Sequence, residues 1–258
     1  MKLCATIVLL FAFNTCFSQT RLDKMVIQLK EPDYGKMSAI KDSIENYQRE
    51  AIPRLITLLK DTSFNKLQNT FDLIYPGAKE FYGHGGIVRY DIDWVAVRGA
   101  WFLEEITFQN FGYRDLAITE EKLMAVHKQD YSSYIKTGSH KIDFKSKTLR
   151  DNLKVYRIML ADRVSKWWED NNASWTRMKA LKDALSSNDE QRQGEALQYL
   201  RFGETKCDGL TIESYQKEIK PLIENIKNQK TGLSEQARLI LDDKESYWHK
   251  IKTEEWNK

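Results

Sequence analysis

The chain has 258 residues, 41% of them hydrophobic and 12% aromatic, enough apolar surface to offset the entropy of ordering the backbone, so disorder is excluded as its general state. Its 40 Lys and Arg stand against 37 Asp and Glu, a formal net charge of +3. The bases are neither run together nor confined to one stretch, which argues against nucleic acid or an anionic membrane as partner.

In chain order, the first feature is an export signal. Residues 1–19 carry Lys2, an apolar run over 3–13 and then small or polar residues. The run is too short to span a bilayer and has the layout of a secretory signal, with cleavage expected near 18–20. The remaining chain, 20–258, is read as one domain placed in the periplasm or secreted, with no integral membrane segment. Cys4 and Cys16 fall within the signal and leave Cys207 as the one cysteine of the mature chain, so no disulfide framework is available. A lipid anchor on Cys16 would need a Leu and small residues before it, and Phe13-Asn14-Thr15 matches that poorly. Asn172-Ala173-Ser174 has the form of a glycosylation acceptor, which matters only in a host that glycosylates secreted chains.

Four prolines, at 32, 53, 76 and 221, leave long uninterrupted segments with little strand-like alternation. The expected fold class is all-α. Met37, Ile40, Ile44 and Tyr47 repeat at spacings of three and four and predict a helix over 37–47. Ile52, Leu55, Ile56 and Leu59 predict another over 50–60, with Pro53 in the first turn where its missing N–H costs least. Asp61-Thr62-Ser63 then reads as a turn and 67–74 as the start of a partner helix, together a helical hairpin. The same arrangement recurs over 178–200 and 219–241. Leu149, Leu153, Tyr156, Leu160, Val164 and Trp167 predict a long helix over 148–168, stopped by Asp170-Asn171-Asn172. Residues 127–147, basic and polar around Gly138, read as a long loop suited to contact with a partner.

Leu55, Leu181 and Leu222 occupy equivalent places in the three hairpins, and a period near 40 residues with two helices each is that of helical repeats. The stretch AIPRLITLLKD at 51–61, and more weakly EIKPLIENIK at 218–227 and MKALKDAL at 178–185, resembles the first helix of a HEAT-type repeat. The match covers under half of the chain and lacks the Val-Arg pair that usually opens the second helix, which only Gln191-Arg192 approximates. The resemblance implies an irregular stack of antiparallel helical hairpins, a HEAT-like α-solenoid, whose commonest use is to bind another macromolecule. It implies no chemistry.

Residues 72–113 hold the densest mixture of ionisable and aromatic side chains. Asp93 is expected to cap a helix over 94–108. On it Trp94, Arg98, Trp101 and Glu105 share a face, within a helix so apolar that its charges need partners. Two readings stay open. In one, Asp93, Arg98 and Glu105 line the polar pocket of a hydrolase acting on a cell-envelope polymer; in the other, Arg98 pairs with Asp91 or Asp93 as a structural network between Trp94 and Trp101. His84 among glycines could join Asp91 and Asp93 at a metal, yet no close pair of ligands stands at a fixed spacing, so no metal and no cofactor is expected. Glu104 and Glu105 point about 100° apart on a helix and cannot flank one bond. No nucleophile motif is present. The expected function is therefore an exported module that binds another protein, in one concrete form an immunity-type inhibitor of a toxin or envelope enzyme. Its contacts are assigned to Tyr82, His84, Tyr90 and Asp91 in one turn and to Tyr131, Tyr134 and His140 in the 127–147 loop, because Tyr, His and Gly suit adaptable interfaces.

Overall fold

The computed structural model describes residues 21–78, 86–114, 149–229 and 231–242. The expected signal with Cys16, the contact residues Tyr82, His84, Tyr131, Tyr134 and His140, and the C-terminal Trp248 and Trp256 lie outside the described residues. Within them the fold is mostly helical. Helix α1 (21–28) leads to α2 (Tyr34–Glu45), capped by the Asp33 side chain on Lys36 N, and α3 (Ala51–Leu58), and both bury the apolar stripes their spacing announces.

The chain after α3 departs from expectation. Residues 67–74 do not form the partner helix of a hairpin: the stretch is extended and turn-like, ending in β1 (Leu73–Ile74), which pairs in parallel with β2 (Gly86–Ile87). Its amides are taken by distant groups, Leu67 N by Asp93 Oδ1 at 2.9 Å and Gln68 N by Pro32 O at 2.9 Å. Nor do its apolar residues share a helical face, since Leu67 and Leu73 are buried while Phe71 is 56% exposed. The helix that packs on α3 is instead α4 (Val95–Thr107). The two approach closely at Gly99, where an added Cβ would lie 3.0 Å from Leu58 Cβ and 3.4 Å from Leu55 O.

The expected cap of α4 is also displaced. Trp94 occupies the cap position without a side-chain bond, and the first two amides of the helix donate to Ser63 O and Asp61 O of the extended stretch. Asp93 is thereby released to hold that stretch through Leu67 N and the Tyr75 hydroxyl. Of the thirteen residues of α4 only Trp101 and Glu105 keep partial exposure.

The C-terminal half is more regular. Helix α5 (Leu149–Asn171) packs on α3, then α6 (Arg177–Leu185) and α7 (Glu190–Phe202) form the hairpin expected over 178–200. Thr176 and Asp189 cap their first turns through Lys179 N and through Gln191 N and Arg192 N. A short α8 (Ile212–Ser214), opened by a Thr211/Ser214 capping box, runs through a π-helical turn (Tyr215–Ile219) into α9 (Lys220–Asn228), and α10 (Ser234–Asp242) returns against it. Helix α9 packs on α6 and α10 on α7, while α4 touches α6 and joins the halves. The loop after α7 closes on the end of α2: Lys206 N donates to Asn46 Oδ1 at 2.7 Å and Asp208 N to Gln48 Oε1 at 3.3 Å. Among the described residues no helix is long and apolar enough to cross a membrane.

Candidate functional site

Where the halves meet, a cleft of about 910 Å³ opens between α2, the 87–90 segment, α4, α7 and the loop at 203–205. Its floor is built on Lys41. The ammonium pairs with Glu45 Oε1 one turn along α2 and with Glu105 Oε2 of α4, and it stands 5.7 Å from the ring centre of Trp101. Trp101 Nε1 donates to the other Glu105 oxygen. The second oxygen of Glu45 accepts from Thr205 Oγ1 at 3.0 Å and lies 3.5 Å from Arg177 Nη2. Arg177 in turn donates to Thr205 Oγ1 and Lys206 O, with its guanidinium 4.6 Å from the centre of the Tyr199 ring. The Tyr199 hydroxyl donates to Thr205 O at 2.5 Å. Four segments far apart in sequence are thus held by one charged network.

The electrostatics follow from burial working against pairing. Burial by itself would lower the Lys41 ammonium, but Glu105 and Glu45 outweigh it and raise it above the ordinary lysine range. Burial pushes Glu45 up, and Lys41 with Arg177 more than reverses this, holding it below the usual carboxylate range. Glu105 moves the other way, raised by burial and by the neighbouring Glu45 charge despite Lys41. One wall is braced by Arg114, which pairs with Glu195 and covers the Tyr90 ring at 5.6 Å. The Tyr90 ring stacks on Trp101 with centres 5.9 Å apart.

Glu104, beside Glu105 in sequence, faces the interior. It accepts from the Tyr90 hydroxyl at 2.7 Å and from Phe111 N at 2.8 Å, tying down the chain after Phe108, which ends α4 in the left-handed region at φ 51°. Burial pushes its carboxyl up to about 7.

Of the residues singled out in the sequence, Tyr90, Trp101 and Glu105 reach the cleft. Asp93, Arg98 and Glu105 are not brought around one point. Arg98 is fully buried and donates to four main-chain carbonyls: Ile92 O at 2.6 Å, Leu29 O at 2.8 Å, Glu31 O at 2.9 Å, and Asn65 O. That is a structural knot, though built on carbonyls and not on the aspartate pairing expected. Asp91 lies 3.8 Å from Arg157, whose guanidinium covers the Trp94 ring at 4.4 Å. Cys207 is buried, and burial pushes its thiol up to about 12, so it is not poised as a nucleophile. Among the described residues no group of three or more His, Cys, Asp or Glu is placed to hold a metal.

Lys41, Glu45, Arg177 and Thr205 were not singled out by sequence. Lys41 and Glu45 read as one more i, i+4 pair on a solvated face. The signal that marks them is that Glu45 sits beside Ile44 at the buried end of the α2 stripe, where a carboxylate needs a partner.

The walls of the cleft carry six carboxylates (Asp42, Glu45, Glu105, Glu190, Glu195, Glu204) and four cations (Lys41, Arg89, Arg114, Arg177). The floor and the Arg114 wall are paired. The exposed charges left at the mouth are three acids, Asp42, Glu190 and Glu204, and one base, Arg89, and among the described residues none of these has an ion-pair partner. Ile87 and Phe202, 71% and 61% exposed, stand at the same rim. No family model matches the chain, and neither does any curated protein or solved structure.

Proposed function

We propose that the chain is an exported protein-binding module that receives a positively charged part of its partner in this cleft, as an immunity-type inhibitor of a toxin or envelope enzyme would. Export rests on the signal-like residues 1–19. A HEAT-like stack of hairpins is the architecture proposed with it, supported by the packing of α9 on α6 and of α10 on α7. The observation that carries the binding reading is the division of charge within the cleft. Its floor is paired, while its mouth presents acids that have no ion-pair partner among the described residues, beside exposed Ile87 and Phe202, in a chain whose net charge is positive. Acid at the mouth steers a basic partner, and the exposed apolar rim supplies area to bury. The rival reading, a hydrolase of an envelope polymer, needs Asp93, Arg98 and Glu105 around one point. Arg98 and Asp93 spend their polar atoms on the interior instead, so no observation favours it.

The test is capture from envelope and secreted extracts with the tagged chain, beside a Glu190→Lys/Glu204→Lys variant and a Phe202→Asp variant. One stoichiometric protein partner, lost with both variants, is expected. Capture that ignores both substitutions, or no partner at all, would overturn the reading.

A further inference from the structure

The wall of the cleft formed by residues 87–90 is the outer edge of a two-stranded parallel ribbon. β2 pairs with β1 on one side, in the register Leu73 with Gly86 and Ile74 with Ile87, and Val88 N continues the ladder by donating to Ile74 O at 2.9 Å. In a strand, successive main-chain groups alternate between the two edges. The N–H and C=O of Ile87 and Arg89 therefore point away from β1, and among the described residues none of them takes a hydrogen bond. Side chains alternate too, with Val88 and Tyr90 buried and Ile87 and Arg89 exposed, so the segment behaves as a strand beyond the two residues that are paired. Tyr90 anchors it from below through Glu104 and the stack on Trp101, so the edge is held in place from its buried face.

An open edge with rigid backing is a template for one more strand. We propose that the 86–90 edge binds an extended, Lys- or Arg-bearing segment of the partner by strand addition, with main-chain bonds to Ile87 and Arg89 and basic side chains directed to the mouth of the cleft. Charge selects this occupant: among the described residues, the exposed groups at the mouth without an ion-pair partner are Asp42, Glu190 and Glu204 against Arg89. An added strand turns every second side chain to the same face, so a segment with bases two apart presents them all toward those acids while its main chain satisfies the edge. The proposal rests on the binding reading above and specifies how the cleft is used.

The test needs no natural partner. The probe is a labelled eight-residue peptide of alternating Val and Lys, compared with the same peptide N-methylated at alternate residues and with its Val/Glu counterpart, titrated onto the full chain. N-methylation removes donors along one edge and leaves charge and side chains unchanged. The Val/Lys peptide is expected to bind, the methylated form about tenfold more weakly because two or so hydrogen bonds are lost, and the Val/Glu peptide not at all. Ile87→Pro, which deletes an N–H on the open edge and none of the β1 ladder, should weaken the Val/Lys peptide by a similar factor. Equal binding of the methylated and unmethylated peptides overturns strand addition and leaves a charge-reading cleft standing. No binding of any peptide overturns the proposal as stated, while the capture experiment decides the protein-binding reading separately. Self-association of the chain that Ile87→Pro abolishes would assign the edge to a second copy and overturn the proposal too.

Discussion

Arg98 of α4 and Lys41 of α2, which packs beside it, are both cations drawn out of water, and their surroundings differ in kind. Arg98 is fully buried, and every partner it has within hydrogen-bond reach is a main-chain carbonyl. Those carbonyls belong to the end of α1, to the turn before α2, to Asn65 ahead of the 67–74 stretch and to Ile92 ahead of α4, so one guanidinium ties together four separate points of the N-terminal half. Lys41 keeps 21% of its side chain exposed, and its partners are two carboxylates at the edge of an open cleft. Carbonyls cannot give up a proton or swing away without unfolding the backbone that carries them. Carboxylates can do both, and their state answers to pH and to what enters the cleft. The partner's chemistry, more than burial, separates a structural charge from one available to function.

Removing Arg98 should produce the largest effect. Arg98→Met leaves four carbonyls without their donor, and a loss of about 4 kcal/mol is expected at neutral pH, enough to unfold much of a marginally stable domain. Because burial lowers the guanidinium only to about 10, it stays charged through the physiological range, and the loss should be the same from pH 5 to pH 8. Denaturant titration at several pH values measures this. A loss under about 1 kcal/mol would show that the knot is not what holds the extended stretch.

A second effect belongs to the interior side of the same helix. The Glu104 carboxyl stands at about 7 in the folded chain against an ordinary 4.5, burial being the main cause. Folding therefore favours its protonated form. The contribution is complete below pH 4.5 and is lost as the pH rises through about 7, a swing of about 3 kcal/mol. Glu104→Gln keeps an oxygen for Phe111 N, turns its NH2 group toward the Tyr90 hydroxyl, whose oxygen can accept, and removes the titration. The difference in stability between wild type and variant should then move by about that amount between pH 4.5 and pH 8, in the direction of a relatively more stable variant at high pH. A difference that stays flat would place the Glu104 carboxyl in the ordinary range.

Much of the helical half was legible in the sequence because its signals are local. Thr176, Asp189 and Pro221 stand at helix starts, and the stripes over 178–200 and 219–241 close on neighbours a few turns away. The stretch from 67 to 74 departs from its expected helix for the opposite reason. Its few apolar residues look like the first turns of a helix, and only the distant Pro32 and Asp93 reveal that its amides are already taken. Of the charged pairs at the floor of the cleft, only Glu105 is legible in the sequence. Glu105 stood out as a charge on an apolar helix, but Lys41 lies 64 positions earlier and Arg177 makes its contact with Glu45 across 132. No periodicity within a window of twenty residues records such a pairing. The need of Arg98 for partners is legible in its apolar helix; that those partners are carbonyls is not, because every residue has one.

Lys41→Met should have the smallest effect on stability of the three and the sharpest pH signature. The Met stem still covers Trp101, Glu45 still has Arg177 and Thr205, and Glu105 still accepts from Trp101, so the loss is confined to one ammonium shared by two carboxylates. About 2 kcal/mol is expected at pH 8, where both carboxylates are charged in the wild type and lose the counter-ion they share. Glu105 is already raised by burial and by Glu45 with Lys41 in place, and without Lys41 it rises further. A group raised in the folded chain contributes stability that is complete below its unfolded pKa and lost as the pH climbs through the folded one. The gap between wild type and Lys41→Met should therefore close as the pH falls toward 5 and reopen toward 8, while the Arg98→Met gap does not move. Two parallel, flat gaps would mean that Lys41 is as structural as Arg98 and that the cleft floor is merely another knot. If only the Lys41 gap opens with pH, the carboxylates beneath the cleft keep a protonation state of their own, and a cationic group entering the mouth has an ammonium to compete with.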